Sequence, residues 1–174
     1  MATVDSLEEA LKLFFGKTLD ASFTKTKLGF LKADGEQSLL GYLRFFLLGY
    51  FGHDVYPEEW TKHLLASSKW GRLDFVVGRT ALEVAVRAEA HGKHKLLTSA
   101  NRDEISKLLS YSDGKAVLAL FDYADAPLEV DDLRLYREEF PLHRNAAISA
   151  YSLLHLYFDP KKGDVACRRL LIRV

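Results

Sequence analysis

The segment WGRLDFVVGRTALEVAVR, Trp70 to Arg87, constrains the fold more than any other stretch of this 174-residue chain. Apolar residues alternate with others on both sides of Val77-Gly78-Arg79-Thr80. Gly78 stands where a type II′ turn needs a positive φ, so the pattern predicts a β-hairpin with a two-residue turn. That turn sets the register: Val77 opposite Thr80, Val76 opposite Ala81, Phe75 opposite Leu82, Asp74 opposite Glu83, Leu73 opposite Val84 and Arg72 opposite Ala85. Side chains alternate between the faces of a strand. One face therefore collects Leu73, Phe75, Leu82, Val84 and Val86, a core surface, and the other holds Arg72, Asp74, Val76, Ala81, Glu83, Ala85 and Arg87.

The register predicts Asp74 directly across from Glu83 in a non-hydrogen-bonded pair, where opposed side chains approach most closely. Like charges so placed destabilise a sheet by up to roughly 1 kcal/mol. A divalent cation offsets this, and two hard oxygen ligands suit Mg²⁺, which keeps waters and takes further ligands from phosphates. Neutralisation by Arg72 at a solvated sheet surface offsets it equally well.

The rest of the chain supplies helices and further strands. Ser6 and Glu9 fit a capping box for an amphipathic helix ending near Gly16. KTLDASFTKTKLGFLK reads as loop, helix or short strand. Asp34 is placed to cap the helix GEQSLLGYLRFFLLGYFG, which is apolar almost all round and so is expected inside a domain. Its aromatics Tyr42, Phe45, Phe46, Tyr50 and Phe51 are expected in the core rather than as base-stacking platforms. In HDVYPEEWTKHLL, Pro57 is expected to break any regular element. Ser99 or Asn101 caps the helix RDEISKLLSYS, closed by Gly114. KAVLALFDY reads as a buried strand, VDDLRLYREEF as a helix, and AAISAYSLLHLYFD with DVACRRLLIRV, around PKKG, as a C-terminal β-hairpin. The expectation is an α/β single domain, a mixed central β-sheet flanked by helices. It divides into an N-terminal helical extension (1–34), a core (35–123) and a helix plus hairpin (124–174).

Charge and composition limit the functions. Lys plus Arg and Asp plus Glu number 24 each, so the net charge is zero. Proteins that hold long nucleic acid by counterion release are usually basic, so any such contact must be a local patch. Neutrality also leaves room for a protein partner or a homodimer. The single cysteine, Cys167, cannot form an internal disulfide and reads as a strand residue. The start MATVDSLEEALKLFF lacks a basic stretch followed by an apolar run, so no signal peptide is expected in it. LLGYLRFFLLGYFG is too short to span a bilayer and contains Arg44, so no membrane is expected and the localisation expected is cytoplasmic. His91 and His94 lack companions for a zinc site, and GYFGHD lacks the spacing of a phosphate-binding loop.

GRLDFVVGRTALEVAV, with the elements around it, resembles the PD-(D/E)XK nuclease superfamily over roughly Gly35 to Tyr123. Its restriction-endonuclease-like core runs helix, three-strand meander, helix, strand. The resemblance implies metal-dependent hydrolysis of a phosphodiester in nucleic acid, DNA before RNA. Asp74, Glu83 and the Val84 carbonyl would hold Mg²⁺ or Mn²⁺, with Glu36 as an assisting acid and Glu58 or Glu59 as its alternatives. The departure is Ala85, which stands where the family has its lysine. Three explanations compete. Either a cation comes from elsewhere, namely Arg72, Arg87 or Lys107; or the domain has lost catalysis and kept the fold for binding; or the alanine is engineered. Arg87, Lys93, Lys95 and Lys107, with His91 and His94 in RAEAHGKHK, would contact the nucleic-acid backbone or form a solvated basic loop. The functions in competition are a nuclease, an inactive nuclease-fold module binding nucleic acid or a protein partner, and an unrelated interaction protein. The last would leave Asp74 and Glu83 apart.

Overall fold

Gly78 has φ 62°, and among the described non-glycine residues only Glu58 has a positive φ, so Arg79 follows at negative φ as a type II′ turn requires. The computed structural model describes residues 2–19, 35–62, 70–87, 102–124, 126–133 and 146–173, with the backbone alone at 35–38, 62 and 70. The turn joins β2 (Trp70–Val77) to β3 (Thr80–Arg87), which pair antiparallel in the expected register: Phe75 with Leu82, Val76 with Ala81, Val77 with Thr80.

These strands lie within a six-stranded mixed sheet in sequence order. β1 (Val55–Lys62) pairs antiparallel with β2. β4 (Lys115–Asp122) runs parallel to β3, reached through helix α3 (Arg102–Leu109). β5 (Ala150–Asp159) runs parallel to β4, and β6 (Asp164–Arg173) returns antiparallel beside β5. β1 departs from expectation, because Pro57 does not break it. β1 is an edge strand, where a missing backbone N–H is tolerated.

Two helices cover one face of the sheet. α1 (Val4–Thr18) is capped by Thr3, whose hydroxyl accepts from the Ser6 N–H while Ser6 Oγ accepts from the Thr3 N–H. Ser6 is thus the third residue of the box, not its cap, and the helix runs past Gly16 to Thr18. α1 buries Leu7, Leu11, Phe14 and Phe15 in one cluster with Phe75, Leu82, Val84 and Phe121 of the strands. Burying each such side chain contributes about 1.5–3 kcal/mol. The Thr18 and Tyr123 hydroxyls are 2.8 Å apart, tying α1 to the end of β4. α1 is therefore part of the core rather than an extension to it.

α2 (Gly35–Phe51) adds Leu39, Leu43 and Leu47 to that cluster. It is not buried all round: Tyr42, Phe45, Leu48 and Tyr50 are exposed. On the opposite face, α3 packs Ile105, Leu108 and Leu109 against Ala81, Ala85, Leu118 and Leu120. Ser99, Asn101, most of KTLDASFTKTKLGFLK and residues 134–140 of VDDLRLYREEF lie outside the described residues. Among the described residues, no helix is long and apolar enough to cross a membrane.

Candidate active site

The β2–β3 ladder stops at Phe75–Leu82. One residue further on, Asp74 Oδ2 accepts the Val84 backbone N–H at 2.9 Å. A side chain has replaced a strand-to-strand backbone bond, so Asp74 and Glu83 are not the ladder pair that counting from the turn predicts. The strict alternation of faces fails here too. Leu73 packs with the α3 cluster, whereas Phe75 and Val84 belong to the α1–α2 cluster.

The two carboxylates still converge. Burial raises the Asp74 pKa, opposed by the Val84 hydrogen bond, the Lys107 charge and a hydrogen bond with Glu83. Glu83 is fully buried, and its pKa lies well above the ordinary range, first through desolvation and then through repulsion from Asp74. Bringing two acids together in a dry setting penalises the doubly charged state.

Lys107 projects from α3 onto the Glu83 carboxylate. Its Nζ lies 2.8 Å from Glu83 Oε1 and 2.9 Å from Oε2, and it donates to the Arg72 carbonyl at 2.9 Å. Only the Oε2 contact has hydrogen-bond geometry, and Oε1 is held by the same ammonium as an ion pair. Burial works to lower the Lys107 pKa but is outweighed by Glu83 and Asp74, so the ammonium holds its proton. Ala85 itself is buried under α3. Glu104, three residues before Lys107 on the same helix, adds a buried Oε2 without a hydrogen bond among the described residues. Its pKa is raised, chiefly by burial.

Arg72 is placed differently from expectation. The ladder does not reach it, so it is not the cross-strand partner of Ala85. It pairs with Trp60 in β1, lies with its Cζ 4.6 Å from the Trp60 ring, and its Nη1 is 3.4 Å from Glu58 Oε2. Glu58 has φ 56° in the middle of an edge strand and is level in register with Asp74, whose pKa its charge also raises. Left-handed backbone in a non-glycine costs roughly 1–2 kcal/mol and marks a position held by its surroundings. Glu58 and Asp74 line one cleft of about 460 Å³, closed on its other side by Leu40, Gly41 and Arg44 of α2.

Arg87 is not a surface cation. Its Nη1 donates to both Asp122 oxygens at 2.9 Å and to the Ala126 carbonyl at 2.9 Å, inside the protein. His155 Nε2 lies 2.9 Å from Asp122 Oδ2, and the Leu128 N–H donates to the same oxygen at 3.0 Å. Burial alone would raise the Asp122 pKa, but His155, the Leu128 N–H and Arg87 together hold it below the ordinary value. This network fixes the chain that leaves β4, and Arg87 is engaged there rather than offered to a phosphate. Burial pushes the Cys167 thiol up to about 12, as befits an inert strand residue. Glu36 lies in the first turn of α2 with its side chain outside the described residues, and His91, Lys93, His94 and Lys95 lie wholly outside them.

Sequence reasoning thus named Asp74, Glu83, Glu58 and Lys107, but missed Arg44 and Glu104. The spacing of Glu104 and Lys107 on one helix face was the available signal for the second. Among the described residues, no group of three or more His, Cys, Asp or Glu is disposed to hold a metal. No protein-family model, curated protein or solved structure matches this chain.

Proposed function

We propose that the protein is a metal-dependent phosphodiesterase acting on nucleic acid, with Lys107 in place of the cation that Ala85 cannot supply. One observation carries this reading. A fully buried carboxylate, Glu83, lies beside a second, half-buried carboxylate, Asp74, with the Lys107 ammonium 2.8 Å from one Glu83 oxygen and 2.9 Å from the other. The order α2, β1, β2, β3, α3, β4 supports a restriction-endonuclease-like core, as does the parallel pairing of β3 with β4.

The donor set fits a hard cation that takes few protein ligands. Asp74 and Glu83 would hold Mg²⁺ or Mn²⁺, the rest of the shell being water and substrate oxygens. Such a cation supplies Lewis acidity toward a phosphoryl oxygen and a lowered pKa for a bound water. The protein's own groups do the remainder. The Val84 N–H fixes one oxygen of Asp74, a residue that lines the cleft. Lys107 holds Glu83 in position and presents positive charge where negative charge would accumulate on a phosphate.

A second reading has its own observation. The Lys107 bond to the Arg72 carbonyl ties α3 to β2, which suits a structural ion pair in a binding module without catalysis. Calorimetric titration with Mn²⁺, together with cleavage of labelled DNA and RNA in Mg²⁺ or Mn²⁺, separates the two. The nuclease reading expects binding that Asp74→Ala abolishes and cleavage that Lys107→Ala abolishes. No binding at millimolar metal, or equal binding by both proteins, sinks it.

A further inference from the structure

The Asp74 cleft opens between two pairs of exposed side chains, each a cation and an aromatic ring. Arg44 lines the cleft and is exposed, with no ion pair or hydrogen bond among the described residues. Phe45, the next residue, is 76% exposed, the largest value for any large apolar side chain described. On α2 it lies one turn after Gly41, also a cleft residue, and residues four apart share a helix face. On the β1–β2 side, Arg72 joins Glu58 of the cleft to Trp60, itself 60% exposed. A cation and an aromatic ring thus stand on each side of the candidate site.

Scattered surface apolar residues need no explanation, but paired cations and rings flanking a cleft have a definite complement. Arginine holds phosphate, and an exposed ring takes up the face of a base. In a duplex those faces are already stacked on neighbouring bases and cannot reach a ring on a helix surface. An unpaired strand offers both chemistries together. Two arginines also meet the requirement set by zero net charge, that phosphate contacts be local.

We propose that this surface binds single-stranded nucleic acid, with Arg44 and Arg72 on its backbone and Phe45 and Trp60 stacked on its bases. The proposal rests on the nuclease reading for which phosphodiester enters the cleft, but its binding test does not require catalysis. Fluorescence anisotropy in EDTA compares a labelled oligothymidylate with a duplex of equal length. The parent should prefer the single strand by about ten-fold or more. Phe45→Leu, which keeps an apolar side chain but removes the ring, should lose about ten-fold, while Phe45→Trp should retain affinity. Arg44→Gln should flatten the salt dependence by about 0.7 in log–log slope.

Equal affinity for strand and duplex, no change in Phe45→Leu, or no binding at all overturns the proposal. A dimer by sedimentation velocity that Phe45→Leu dissociates, without oligonucleotide binding, also overturns it and assigns the face to a second copy. Cleavage with Mn²⁺ is scored separately. Strand binding without cleavage leaves this surface standing and removes the nuclease reading. Cleavage that ignores Phe45 and Arg44 does the reverse.

Discussion

Lys107 of α3 lies astride the carboxylate of Glu83 on β3, with Nζ 2.8 Å from one oxygen and 2.9 Å from the other. Removing one partner of a buried ion pair leaves the other charge unpaired and costs about 3–5 kcal/mol. Lys107→Met should therefore lower stability by about 3 kcal/mol at neutral pH in urea denaturation, and Lys107→Met/Glu83→Gln should recover most of it. Ala85→Lys alone should destabilise, because two ammonium groups would compete for one carboxylate under α3. In a Lys107→Ala background the same lysine should be better tolerated and should restore any cleavage that Lys107→Ala removes. If Lys107→Met is neutral, the pair holds neither the fold nor the site.

The raised pKa values of Asp74 and Glu83 link stability to pH and metal. In a folded acid whose pKa exceeds its unfolded value, the folded state binds more protons between the two values. Stability in EDTA should accordingly fall as pH rises from about 4.5, the ordinary value for a glutamate, toward the folded value of Glu83. Millimolar Mg²⁺ should flatten that decline, because a cation favours the ionised carboxylates and so offsets the desolvation, and the repulsion second to it, that raise their pKa values. Asp74→Asn should flatten it without metal. A melting temperature that rises with pH over this window in EDTA contradicts the electrostatic account.

Glu58 holds a left-handed backbone beside Asp74. Glycine adopts that conformation freely, so Glu58→Gly should stabilise the protein by about 1 kcal/mol if its ion pair with Arg72 is as weak as exposed pairs usually are. If the strain serves the cleft, metal binding should weaken in the same variant. Denaturant midpoints and calorimetry on one preparation read both effects, and a loss of stability would show that the Arg72 contact outweighs the strain.

Asp122 lies in the interior between Arg87 and His155. Asp122→Asn should cost about 3–5 kcal/mol at pH 7, since Arg87 loses its buried counter-charge. The folded pKa of Asp122 is lowered, so its contribution is fully present above the unfolded value, near 3.8, and is lost as pH falls through the folded value. The gap between parent and variant should therefore narrow only below about pH 4. A gap that closes by pH 6 contradicts this account.

What the sequence by itself determined was local. Alternation and a turn glycine placed the β2–β3 register, and an apolar run marked β4 as buried. Both are set by residues adjacent in the chain, as was the identity of the two acids. The tertiary structure decided the rest. Pro57 is tolerated because β1 is an edge strand, a property of the sheet rather than of the segment. Counting from the turn put Arg72 beside Ala85, yet the ladder ends where Asp74 captures the Val84 N–H, and Arg72 turns to Glu58 and Trp60 instead. Arg87 reads as a basic surface residue until β4 brings Asp122 alongside it. Lys107 meets Glu83 only because a parallel crossover lays α3 over β3. Charge partners distant in sequence are chosen by packing, and one chain's local pattern carries no record of that choice.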